Sequence, residues 1–392
     1  MTPSSPPTDN SVIRLALGGL VAMAVAMGLG RFVYTPLLPD LMDGLFLNAY
    51  QAGLIASSNY VGYLLGAILA SQGWAAGRER SVFAAGLLAT TILLFAMSFA
   101  HEVWSLSIIR LAAGIASAFV MVFGSTIVFS HLQAAGRDDL QKLHFGGVGV
   151  GLVCSALLLL VLTHLDSHWT TGWFAAAGLA LLGTIAAVLL VRVDPLPGVH
   201  GKRERPLVWD RGLVFITIAY GLFGLGYIVT ATFLVAIVRE GQGQSPLEGW
   251  VWLVTGTAAA VSLVLWAPCR RRFGLFATFV AGCLVEACGV AASVVLPSPV
   301  GPFLGGALLG LTFVVVTAYG LQIGRLMAPY APRKALALMT AAFGTGQIIG
   351  PLIAGYLAEL SGNYTSGSLV AALALVVAAL FAMMANANAK GT

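Results

Sequence analysis

Two arginines stand inside apolar stretches, where a charge is costly. Arg31 interrupts MAVAMGLGRFVYTPLLPDLM, residues 23–42, a run that closes on two prolines, and Arg110 interrupts IIRLAAGIASA, residues 108–118. A cation in hydrocarbon costs at least ~2.5 to 3.5 kcal/mol on the mildest insertion scale, so it persists where it faces protein or water and does something there. The guanidinium fork takes a carboxylate or phosphate through two parallel hydrogen bonds, which points Arg31 to an anionic substrate, with Arg110 as a second candidate ligand. The plainer alternative has each arginine bonding helix-end carbonyls or a neighbour such as Tyr34. Glu286 is the one acid near the middle of an apolar run and a candidate proton carrier. Asp40, just beyond Pro39, is the other.

Weaker signals surround these. Asn59 and Tyr63 lie one turn apart on one helical face, and Tyr220, Tyr227, Thr230, Tyr319 and Gln322 offer hydroxyls, amides and rings in the second half of the chain. Of these, Asn59, Tyr63, Tyr227, Tyr319 and Gln322 join Arg31, Tyr34 and Arg110 as candidate substrate contacts; Gln347 can face a cavity or its glycine neighbours. His164, Asp166 and His168 have metal-compatible spacing, yet at a span end a wet interfacial cluster is the better reading, so no metal and no cofactor is expected. No H-E-x-x-H, nucleophile elbow or Walker loop occurs, which argues against an enzyme.

The elements that must position these residues are membrane helices. Hydrophobic residues make up 59% of the 392, charged residues 9%, and mean hydropathy is +0.93, against about 45 to 50% apolar and 25% charged in soluble domains. Apolar runs and their breakers give twelve spans, near 15–38, 51–74, 81–100, 104–130, 144–165, 170–191, 212–238, 250–267, 274–296, 302–326, 335–359 and 367–385. With the N-terminus inside, 17 of the 20 basic residues fall in inner segments and one, Arg239, in an outer loop. That split follows the positive-inside rule through six hairpins, puts both termini in the cytoplasm, and removes nucleic acid as the reason for a net charge of +5. The eight tryptophans fall near expected span ends, as an interfacial belt requires. The polar, proline-rich residues 1–13 read as a tail, not a cleaved signal, because the following apolar run is too long and has no small-residue cleavage site.

A proline- and charge-rich stretch from Arg192 to Arg211 divides the chain. Residues 1–191 are expected to form an N-terminal six-helix bundle, 192–211 a cytoplasmic linker, and 212–392 a C-terminal bundle. An internal repeat supports the cut: Gly28-Leu29-Gly30 returns as Gly224-Leu225-Gly226, Gly114 as Gly310 and Gly124 as Gly320, all 196 residues on. At that offset Arg31 becomes Tyr227 and Arg110 becomes Gly306, so the charge belongs to the first half. Gly62 with Gly66, and Gly147 with Gly151, have the small-xxx-small spacing of close helix approach.

This plan resembles the major facilitator superfamily. The resemblance rests on Arg110 and Gly114 in span 4, on GWAAGRERS from Gly73 in the loop after span 2, which lacks the usual aspartate, and on GTGQIIGPLIAG in span 11. GLGRFVYTPLLP from Gly28, with the QAG and SNYVGY of span 2, is similar to the YbfB/YjiJ family of bacterial transporters. The resemblance implies an all-α fold in which spans 1, 4, 7 and 10 line a central cavity, so that Arg31 and Arg110 would face the same space. The expectation is a secondary transporter of the inner membrane, acting as a monomer and moving a small organic anion or aromatic acid by alternating access. Export of drug-like amphipaths is the alternative. Proton symport, antiport and plain facilitation stay open, since the candidate proton carriers are few.

Overall fold

The computed structural model describes residues 9–165, 167–196 and 205–390. Among them twelve helices are long and apolar enough to cross a bilayer, and no strand occurs. Spans 1 to 6 are Asn10–Leu45, Ala49–Ser71, Glu79–Met97, Val103–Ala134, Asp138–His164 and Trp169–Leu190; spans 7 to 12 are Arg211–Gln242, Leu247–Phe273, Leu275–Val295, Val300–Met327, Pro332–Ser361 and Thr365–Asn388. Each overlaps one expected span. Residues 197–204, the middle of the expected linker, and Asp166 lie outside the described residues.

Helix neighbours repeat between the halves. Span 2 packs on span 4, and span 3 on spans 4 and 6; correspondingly, span 8 packs on span 10, and span 9 on spans 10 and 12. Glycine permits the closest of these contacts. Gly114 lies on the Asn59 carbonyl, and Gly310 lies on the Thr255 carbonyl, the same pair displaced by 196 in both members. A side chain at either glycine would strike backbone, which cannot give way as a rotamer can. The halves meet through span 2 against span 11, span 5 against span 8, and span 1 against span 7. Span 7 is the most enclosed, with 83% of its apolar core buried against 33% for span 6, which places it at the centre and span 6 at the lipid-facing edge.

Two sequence expectations are corrected. Span 1 does not close on its prolines: after a π-helical segment, Ala24–Phe32, it continues through Pro36 and Pro39 to Leu45. Arg31 therefore sits about 20 Å from that end, near mid-depth, because each residue adds ~1.5 Å. The tryptophans also divide. Trp74, Trp104, Trp209 and Trp250 are exposed, but Trp173 and Trp252 are buried, the first against Tyr34 and the second donating its indole N–H to the Ser155 hydroxyl at 2.9 Å. Nearness to a span end does not decide whether a side chain turns outward or inward.

Candidate substrate site

The widened turns of span 1 present Arg31 sideways into the centre of the molecule. In a π turn the carbonyl of residue i looks to the N–H of residue i+5, and for Arg31 that residue is Pro36, which has none. Arg110 of span 4 supplies the missing donors: Nη2 bonds the Arg31 carbonyl at 2.9 Å and Nη1 the Gly30 carbonyl at 3.0 Å. Asn59 holds Arg110 in turn, its Nδ2 donating to the Arg110 carbonyl at 2.9 Å. Tyr34 completes the cluster, with its ring 5.0 Å from the Arg110 guanidinium carbon and its hydroxyl donating to the Ala52 carbonyl at 2.8 Å. Arg110, Asn59 and Tyr34 are thus brought together around the backbone that carries Arg31, and none of the three lines the central cavity.

Arg31 itself is held by ring faces. Its guanidinium carbon lies 4.7 Å from the ring centres of both Tyr60 and Tyr63 and 5.4 Å from that of Phe32. Such contacts contribute ~2 kcal/mol or more when dry. They leave the N–H groups free. Nε and Nη2 have no hydrogen-bond partner although the residue is only 3% exposed, and no carboxylate pairs with it among the described residues. Each buried, unsatisfied donor costs about 1 to 3 kcal/mol.

The cavity beside Arg31 has a volume of about 150 Å³. Tyr220 and Tyr227 of span 7, Phe313 of span 10 and Phe343 of span 11 bound it as a wall of parallel rings, with Phe223 of span 7 stacked among them but off the cavity surface, and the stacked pairs have interplanar angles between 3° and 25°. Gln347 of span 11 fixes Tyr227 by donating to its hydroxyl. Tyr63, Met23, Met27 and Met121 line the cavity opposite these rings. Of the expected contacts, Arg31, Tyr63 and Tyr227 line this cavity. Tyr319 and Gln322 do not; they line a larger one, about 620 Å³, together with Lys142, Arg270 and Arg271. Phe145 and Ala318 border both cavities, which therefore adjoin.

At the other end of span 1 the halves are closed. Arg239 gathers three carboxylates, with Nη2 at 2.7 Å from Asp40 and 2.7 Å from Glu248, and Nη1 at 2.9 Å from Asp43. Below it, the Thr35 hydroxyl donates to the Ala231 carbonyl at 2.5 Å. Asp43 with Arg239, and Thr35 with Ala231, are each 196 residues apart, so equivalent positions of spans 1 and 7 touch there. Asp40 is thus an ion-pair partner. Glu286 is fully buried on span 9, where Thr312 of span 10 is the side chain set against its carboxyl, and it does not line the central cavity. His168 caps span 6 by accepting from the Thr170 N–H, and among the described residues no group of His, Cys, Asp or Glu is arranged to hold a metal.

Sequence reasoning missed Phe32, Phe223, Phe313, Phe343 and Arg239. Tyr220, Phe223 and Tyr227 did carry a signal, since spacings of three and four put them on one helical face. Arg239 carried another as the lone basic residue of the outer loops. Phe313 and Phe343 carried none among 20 phenylalanines.

Twelve helices in a pseudo-repeated arrangement around a central polar-aromatic cavity define a membrane transporter. Residues 23–383 match the family described as the uncharacterised MFS-type transporter YbfB, and the chain belongs to that family of the major facilitator superfamily. It is 24% identical over 354 residues to the uncharacterized MFS-type transporter YceJ of Bacillus subtilis (strain 168), covering 86% of this chain and 88% of that protein. It is 26% identical over 314 residues to the class C tetracycline resistance protein of Escherichia coli, covering 72% and 73%. In fold it is similar to a mutant form of the nucleoside transporter NupG, with a TM-score of 0.77 at 16% identity over 95% of this chain and 99% of that one. It is also similar to an inward-facing bacterial homolog of the lysosomal transporter Spinster, with a TM-score of 0.66 at 12% identity over 97% and 96%.

Proposed function

We propose that this transporter moves a small organic anion with a flat, single-ring body, binding its carboxylate to Arg31 and its ring against the Tyr220 to Phe343 wall. The observation that carries the reading is the unpartnered Nε and Nη2 of a buried Arg31 beside a cavity. Size agrees, because a cavity of ~150 Å³ holds a guest about as large as benzene. Lys142, Arg270 and Arg271 around the adjoining cavity would draw an anion toward the same place. The positive-inside pattern supports assigning that mouth to the cytoplasm, the Arg239 cluster to the outside, and the chain to the inner membrane with both termini inside. The conformation is then inward-facing, and rocking of the two six-helix halves, 1–191 and 212–392, about Arg31 would expose the site alternately.

The test is uptake of a panel of aromatic acids, aliphatic acids and cationic dyes into proteoliposomes under imposed pH and voltage gradients. An aromatic acid accumulated by wild type and lost in Arg31→Ala, with the variant still folded, supports the reading. A second reading, export of drug-like amphipaths, is favoured by the likeness to the tetracycline resistance protein and by the adaptable methionines of the cavity. Transport of cationic or neutral amphipaths at wild-type rates by Arg31→Ala would select it.

A further inference from the structure

A crevice of about 530 Å³ on the outside of the molecule lies between spans 3 and 4, away from both transport cavities. Small residues form its floor: Ala85, Gly86 and Ala89 from span 3, and Ala112 and Ala116 from span 4. One end is built differently. There the loop after span 2 brings Trp74, whose ring packs edge-on against Phe119 and Phe123 at 5.7 and 6.2 Å, and Arg78, whose Nη2 reaches the Trp74 carbonyl at 3.0 Å. Arg78 is exposed and makes no ion pair with a carboxylate among the described residues. The crevice runs along span 3 to Leu93, about 20 Å at ~1.5 Å per residue, slightly more than the ~15 Å of one hydrocarbon leaflet.

We infer that this crevice is a binding site for an anionic phospholipid, with one acyl chain lying in the small-residue groove and the headgroup phosphate on Arg78. The shape and the charge agree on that occupant. A narrow apolar channel of leaflet depth fits an alkyl chain, and the only cationic side chain on its lining stands at its end, beside an aromatic ring of the type that favours the headgroup level. A guanidinium takes a phosphate in a fork, and one basic residue near the surface favours an anionic over a zwitterionic lipid by about fivefold. The neighbouring Arg80 does not line the crevice, so the selectivity belongs to Arg78.

Trp74 makes the site measurable. Full-length protein is reconstituted with phosphatidylglycerol or phosphatidylcholine carrying brominated chains, and the Trp74 contribution to quenching is taken as wild type minus Trp74→Phe. The expected result is half-maximal quenching at about fivefold less brominated phosphatidylglycerol than phosphatidylcholine. That preference should vanish in Arg78→Gln and persist in Arg80→Gln. Ala89→Phe, which fills the groove, should weaken quenching by both lipids. Equal quenching by the two lipids in wild type, or a preference that survives Arg78→Gln, overturns the assignment. Transport of any substrate is not needed for the readout, so the site stands or falls independently of what the central cavity carries.

Discussion

Arg31 and Arg110 are one residue type in two different settings, and the difference is where their N–H groups end. Both fork nitrogens of Arg110 are used on the Gly30 and Arg31 carbonyls, whereas Nε and Nη2 of Arg31 have no partner. Removing Arg31 should therefore cost binding more than folding. Arg31→Ala is expected to weaken anion affinity roughly 10- to 100-fold, the equivalent of losing a charge-assisted pair. Arg31→Lys should recover only part of that, because an ammonium is a point charge without the fork. Binding of the transported acid by isothermal calorimetry checks both, and equal affinity in all three proteins would show Arg31 to be a scaffold. Arg110→Ala should instead lower the thermal unfolding midpoint by several degrees and then transport, since two backbone carbonyls lose buried donors at about 1 to 3 kcal/mol each. A variant with wild-type melting and lost binding would reverse the assignment. Glu286 belongs at this scale too. If it carries the coupled proton, Glu286→Gln should abolish accumulation driven by a pH gradient while leaving exchange of labelled for unlabelled substrate intact, and loss of both would make the residue structural.

Single elements carry the site because glycine lets them approach. Gly114 on the Asn59 carbonyl sets the distance between spans 2 and 4, which in turn sets where Arg110 meets span 1. Gly114→Val should force the helices apart at a cost of about 1 to 3 kcal/mol, lowering the unfolding midpoint, with Gly310→Val acting in the same direction on spans 8 and 10. An unchanged midpoint in either variant would mean the helices slide to make room. The same elements explain what the sequence made legible. Span number follows from length and hydropathy, and a mid-membrane arginine announces itself by its cost, so both were readable; the end of span 1 was not, because the helix carries Pro36 and Pro39 inside it. The π segment was not, because no residue type in Ala24–Phe32 dictates a wider turn; Pro36 and Arg110 fix it jointly from 5 and 79 residues beyond Arg31. The ring wall was half readable: spacing aligned Tyr220, Phe223 and Tyr227, while Phe313 and Phe343 join them only through the packing of spans 7, 10 and 11. The resemblance makes span 4 a cavity-lining helix, but that says nothing of direction around the helix, and the Arg110 side chain turns to span 1.

Over the whole molecule, the contact of equivalent residues has a mechanical consequence. Two positions related by a repeat can touch each other only near the pseudo-twofold axis, and Thr35 with Ala231, then Asp43 with Arg239, lie along it on one side of Arg31. If the halves rock about the site, this is where they must part. Opening there would break the two ion pairs that cross between the halves, Arg239 with Asp40 and Arg239 with Asp43, while Arg239 keeps Glu248 within the second half, so the crossing pairs favour the present conformation. Surface pairs contribute little, but a charge cluster with one partner fully buried contributes more, and losing its cation leaves an uncompensated carboxylate that water must reach. Arg239→Gln should therefore shift the population toward the state open on that side. In a background where Cys154, Cys269, Cys283 and Cys288 are replaced by alanine, labelling of Thr35→Cys by a membrane-impermeant maleimide should rise several-fold when Arg239→Gln is added. Crosslinking the double variant Thr35→Cys, Ala231→Cys with an oxidant should stop transport, and a reductant should restore it. Transport that continues through the crosslink would mean the two halves do not separate at the axis, and substrate would have to reach Arg31 by another route.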